Sequence, residues 1–132
     1  MRQLKTFIIE DSPVIRQSLI ETLEEMVPVK VVGVAEDELS ALNWLAEPSN
    51  PVDLVIVDLF LKSGSGLGVL RNIKPSLHVC KVIVLSNYAT KDIRQKCLEL
   101  GADQVFDKST EIESLITYCG DLADGSVEPA TD

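Results

Sequence analysis

Short apolar, β-branched runs punctuate the chain at Thr6–Ile9, Val29–Val34, Leu54–Val57 and Val82–Leu85, with a weaker pair at Val105 and Phe106. Stretches with helical spacing of apolar positions separate them, so the pattern predicts five strands alternating with five helices. Ser12 reads as the N-cap and Pro13 as the first residue of a helix striped by Ile15, Leu19, Leu23 and Met26 and stopped by Pro28. Asp37 is placed to cap a second helix carrying Leu42, Leu45 and Ala46, and Leu67, Leu70 and Ile73 stripe a third that ends before Pro75. Thr90 caps a fourth with Ile93, Cys97 and Leu100 inward and Gly101 behind it, and a fifth is expected from about Glu111 to Tyr118, closing near Gly120.

Inner strands that are apolar on both faces are those of a parallel sheet covered on both sides by helices. The expected division is one domain over residues 1–120 and an acidic, disordered tail or cut linker over 121–132. In an open parallel sheet, ligands bind beyond the carboxyl ends of the strands. The polar residues at those ends are Glu10 and Asp11, Asp58, Ser86, and Asp107 with Lys108. Asp58 is the most conspicuous, because it interrupts the run VDLVIVDLFL and a carboxylate there is costly unless a cation or donors compensate it. Its structural alternative is a strand-end residue capping the next loop.

Bringing Glu10, Asp11 and Asp58 together creates like-charge repulsion that protonation or a cation would relieve. Magnesium suits such a set of hard oxygens, and no His or Cys cluster points to zinc or iron. His78 reads as a solvated loop residue before the fourth strand. Cys80, Cys97 and Cys119 form neither a CxxC pair nor a disulfide framework, and read as reduced, mostly buried thiols of a cytoplasmic protein. The 132 residues carry a formal charge of −9, which disfavours direct contact with nucleic acid or an anionic membrane. The apolar run before the first acids is too short for a signal peptide or a membrane span.

The segments IIEDSP, VIVD, VLSN and FDKS, in this order and at these strand ends, resemble the receiver domains of two-component response regulators, including chemotaxis regulators, over about residues 4–119. The resemblance implies a flavodoxin-like (βα)5 fold with strand order 2-1-3-4-5. It implies that Asp58 is the phosphoacceptor and that Glu10, Asp11, Asp58 and the backbone carbonyl of Phe60 serve a Mg2+ site. Ser86 would be the hydroxyl, and Lys108 the lysine, that engage phosphoryl oxygens. A histidine kinase or phosphotransfer protein would then be the donor and a downstream protein the target, with a homodimer through helix four, strand five and helix five as one option. The chain's chemistry would be self-phosphorylation and slow autodephosphorylation, which is not enzyme activity in the usual sense.

Four positions depart from the family pattern: Lys62 and Ser109 replace frequent prolines, Asn87 replaces a very small residue beside the site, and Val105 stands where a rotating aromatic is usual. With Val105 unable to swing a ring, the expected output runs through the loop after Ser86, with Tyr88 as its aromatic reporter. Phe60 and Tyr88 are expected to flank the pocket and slow hydrolysis of an acyl phosphate, or else to belong to a partner surface. The alternative readings are a receiver-like scaffold that is never phosphorylated and the N-terminal receiver piece of a longer transcriptional regulator. An aspartyl phosphatase would need a second Asp where Phe60 stands, and a flavin or nucleotide carrier would need a glycine-rich loop in place of EDSPVIR.

Overall fold

The computed structural model describes residues 3–73 and 80–125. The strands are β1 (Leu4–Ile9), β2 (Val29–Ala35), β3 (Leu54–Asp58), β4 (Lys81–Ser86) and β5 (Gln104–Asp107). They alternate with α1 (Pro13–Met26), α2 (Glu38–Ala46), α3 (Gly66–Ile73), α4 (Lys91–Glu99) and α5 (Ile112–Asp124). All neighbouring strands pair in parallel, in the order β2-β1-β3-β4-β5. This is the doubly wound, flavodoxin-like arrangement expected from the sequence.

One core layer packs Leu19 and Leu23 of α1 and Leu115, Cys119 and Leu122 of α5 against Ile8, Ile56 and Ile83. On the opposite face, α2, α3 and α4 cover Phe7, Val55, Val57 and Val84. β3 is buried along its whole length, which is why its sequence is apolar without alternation until Asp58. Trp44 lies flat on Phe7, with ring centroids 4.1 Å apart. That stack needs Gly33 on the neighbouring strand, because a Cβ there would come within 2.7 Å of the indole.

The expected caps are present: Ser12, Asp37 and Thr90 each accept a hydrogen bond from the amide three residues on, at 3.3, 2.8 and 3.3 Å. Three expectations need correction. Ile15 and Met26, assigned to the inward stripe of α1, are exposed, since they lie in the first and last turns and only the middle of the stripe reaches the sheet. Ala46 is exposed at the end of α2, where Trp44 and Leu45 supply the contact instead. α5 does not close near Gly120 but continues to Asp124, with Gly125 as a left-handed C-cap. Leu122 and Ala123 are buried and extend the stripe of Leu115 and Cys119 by another turn, so the boundary drawn at residue 120 falls inside a helix. The rest of the expected tail, His78 and Pro75 lie outside the described residues. No helix among the described residues is long and apolar enough to cross a membrane.

Candidate functional site

Parallel pairing puts the carboxyl ends of β1, β3, β4 and β5 along one edge of the sheet, and each of the central strands delivers a polar residue there. Glu10 and Asp11 follow β1, Asp58 ends β3, Ser86 ends β4, and Lys108 follows β5. Lys108 is fixed by its backbone, whose amide donates to the Ser86 carbonyl at 3.0 Å. One oxygen from each of Glu10, Asp11 and Asp58 lies within 4.8 Å of the others. Glu10 and Asp58 are buried and Asp11 is half-buried.

The ammonium of Lys108 reaches into this cluster, 2.5 Å from Glu10 Oε1 and 3.1 Å from Asp58 Oδ2. Burial by itself would lower the Lys108 pKa, but its hydrogen bond to Glu10 and the charge and hydrogen bond of Asp58 outweigh that and raise it. Glu10 is further held by the Ser12 amide, which donates to Oε2 at 3.1 Å, while Arg16 donates to its carbonyl at 2.9 Å. The amide of Phe60 donates to Asp58 Oδ1 at 3.3 Å, which keeps the backbone of residue 60 beside the carboxylate. Three converging carboxylates with a single ammonium among them form a set of hard oxygen donors with excess negative charge, and this fits a divalent ion of the magnesium type.

Close packing behind Asp58 is equally specific. The amide of Gly66 donates to the Leu59 carbonyl at 2.9 Å, and a Cβ at Gly66 would lie 2.3 Å from the Asp58 carbonyl oxygen. The start of α3 therefore rests directly on the backbone that carries Asp58.

The loop after β4 holds the other expected positions. Ser86 is fully buried, and its hydroxyl accepts from the Tyr88 amide at 3.0 Å. Asn87 is exposed and accepts from the Ser109 hydroxyl at 3.5 Å. Tyr88 and Phe60 are both exposed and meet edge to face, with centroids 5.4 Å apart. Asn87 and Lys108 also line a cleft of about 410 Å3 between α1 and α5, with Val14, Ile15 and Ile112 as apolar walls. Val105 is buried on β5, and the peptide bond between Lys108 and Ser109 is trans.

Sequence reasoning missed Arg94. Its guanidinium donates from Nε to the Ala89 carbonyl at 2.8 Å, from one terminal nitrogen to the Val105 carbonyl at 3.0 Å, and from the other to Glu111 Oε1 at 2.5 Å. The same Glu111 oxygen accepts the Asp107 amide at 2.9 Å. Arg94 lies on α4 and Glu111 just before α5, so no periodic pattern couples them.

Comparison with known proteins agrees with this fold. Residues 6–119 match the family described as the response regulator receiver domain. A protein-glutamate methylesterase/protein-glutamine glutaminase from Myxococcus xanthus is 32% identical over 90% of this chain and 34% of its own length. The isolated receiver domain of RcsB from Salmonella enterica, solved with a phosphomimetic beryllofluoride, superposes with a TM-score of 0.79 at 26% identity over 94% of this chain and 91% of that one. The response regulator domain of Thermotoga maritima CheB gives a TM-score of 0.79 over 97% of this chain and 100% of that one, at 22% identity, a likeness of fold. The chain spans 34% of the length of that methylesterase, 29% of a cyclic di-GMP phosphodiesterase from Thermotoga maritima and 58% of the response regulator UvrY from Escherichia coli, which it also resembles. With residues 6–119 of its 132 matched by that family's model, the chain belongs to the response regulator receiver domain family.

Proposed function

We propose that this chain is a phosphorylation-dependent signalling switch of a two-component system, with Asp58 as the phosphoacceptor. The observation that carries the reading is the Lys108 ammonium set between Glu10 and Asp58 inside a cluster of three carboxylates. In this reading an Asp58 carboxylate oxygen attacks the donor's phosphorus in line, forming an acyl phosphate as the bond to the donor atom breaks. Glu10, Asp11, Asp58 and the Phe60 carbonyl would hold Mg2+, which supplies positive charge where the phosphoryl oxygens gather. Lys108 keeps its ammonium within the cluster and pairs with a phosphoryl oxygen. The Ser86 hydroxyl turns to donate to another. Asn87, at the mouth of the site, limits which donors enter.

The donor is a histidine kinase or phosphotransfer protein. Its approach is supported by the apolar cleft of Val14, Ile15 and Ile112, which opens beside Lys108 and Asn87. The signal then passes by protein contacts, either from this receiver to a separate partner or to an output region of a longer regulator, as the greater length of the relatives allows. Pairing through α4, β5 and α5 is a second route for output. The net charge of −9 supports a protein target over nucleic acid, and the burial of Cys80, Cys97 and Cys119 agrees with a cytoplasmic location.

The test is intact mass after incubation with magnesium and a small acyl phosphate. One added phosphoryl group on the wild type, requiring magnesium and absent from Asp58→Ala, is the expected result. An unchanged wild-type mass with the fold intact would favour the scaffold that is never phosphorylated.

A further inference from the structure

We infer that Arg94 is a positioning residue that joins the loop after β4 to the start of α5, so that a change at Ser86 is transmitted to α5. The inference deepens the phosphoacceptor reading and names the route by which the occupied site would be sensed. It begins with the loop. Ser86 Oγ accepts the Tyr88 amide at 3.0 Å, so a hydroxyl drawn toward a phosphoryl group on Asp58 pulls on residues 87–89. The carbonyl of Ala89 is the next fixed point, and it is held by Arg94 Nε at 2.8 Å.

The rigid guanidinium plane carries the displacement onward. Its five donors are fixed in one fork, so Ala89 cannot shift without moving the other two contacts or breaking them. Those contacts are the Val105 carbonyl on β5 at 3.0 Å and the Glu111 carboxylate at 2.5 Å. Glu111 immediately precedes α5 and also accepts the Asp107 amide at 2.9 Å, while its own amide donates to the Asp107 carbonyl at 2.9 Å. One side chain thus spans the loop, the edge strand and the first turn of α5. Val105 itself is a buried aliphatic with no ring to reorient, and at this position the chain offers a backbone carbonyl to Arg94 instead. The structure shows the latch closed, with all three acceptors engaged, and transmission to α5 requires an open condition whose population phosphorylation raises.

The experiment follows backbone amide resonances of the full chain before and after adding magnesium and a small acyl phosphate, with intact mass recorded on the same samples. In the wild type, amides of Asn87–Thr90 and of Glu111–Leu115 are expected to shift together. In Arg94→Met the first group is expected to shift while the second stays in place, and Arg94→Lys, which keeps a charge for Glu111 but not the fork, should not restore the second group. Equal displacement of Glu111–Leu115 in Arg94→Met and wild type would overturn the inference. Should Arg94→Met fail to fold, Glu111→Ala removes the acceptor of the same bridge from the other side and is read in the same way at Ile112–Leu115. If the wild type gains no mass, the phosphoacceptor reading fails instead, and Ser86→Ala then decides the latch without phosphate. Loss of the hydroxyl should displace Glu111–Leu115 when Arg94 is present and leave them in place with Arg94→Met, whereas displacement in both backgrounds would refute the coupling.

Discussion

Lys108→Met preserves most of the side chain's length and apolar stem while deleting its charge. The Lys108 side chain is 11% exposed and those of Glu10 and Asp58 are 4% and 8% exposed, so the three groups form a pair network largely shielded from water. Removing one partner of a buried ion pair costs about 3–5 kcal/mol, because the charge left behind has lost both its water and its counter-ion. Here two carboxylates are left, with Asp11 close by. Against a total stability of about 5–15 kcal/mol for a domain, that loss is severe. With a urea slope of about 2 kcal/mol per molar, the unfolding midpoint in the absence of divalent ions should fall by about 1.5–2.5 M without a change of slope.

Two controls tie the magnitude to the cause. Adding Asp58→Asn to Lys108→Met should recover part of the loss, since of the three carboxylate pairs only Glu10 with Asp11 then remains, and magnesium should stabilise the variant more than the wild type. The pH dependence has a fixed sign. Lys108 is raised above its ordinary value of 10.5, and a group raised on folding contributes stability that is fully present below that value and lost as pH climbs through the folded one. The gap between wild type and variant should therefore hold from neutral pH to about 10 and close only above it. A midpoint change below about 0.5 M, or a gap that closes between pH 7 and 9, would refute the account.

Two further outcomes follow from the loops around Asp58. Gly66→Ala should destabilise the fold by about 1–3 kcal/mol and slow phosphoryl uptake, because its Cβ would press on the Asp58 carbonyl oxygen at 2.3 Å; a wild-type melting curve would show that α3 can simply step back. Phe60→Asn should lose phosphate about tenfold faster, a barrier change of about 1.4 kcal/mol, as the exposed ring that meets Tyr88 beside the site gives way to a small polar group. Unchanged hydrolysis, followed by the return of intact mass with time, would leave the two aromatics as a partner surface only.

Much of this molecule was legible in one dimension because the signals are local. The β-branched runs state five strands, and an unbroken apolar β3 states that both of its faces are covered. Ser12, Asp37 and Thr90 announce helix starts because a cap bonds only three residues away. The carboxylates Glu10, Asp11 and Asp58 were readable as a site because parallel topology sends every strand's carboxyl end to the same edge. Where only the folded chain decides, the reason is distance along the sequence or competition for one surface. The ends of the α1 stripe stay exposed because the sheet reaches only its middle, and α5 runs on because Leu122 and Ala123 find a core that Gly120 alone could not foretell. Lys108 meets Glu10 across 98 positions, and Arg94 meets Glu111 across 17, so neither bond has a periodic trace. Residue types and their order set the fold and the chemistry available at the sheet edge. Tertiary packing alone set which charge neutralises which carboxylate and which side chain ties the site to α5, because both depend on contacts between elements that meet only after the sheet has formed.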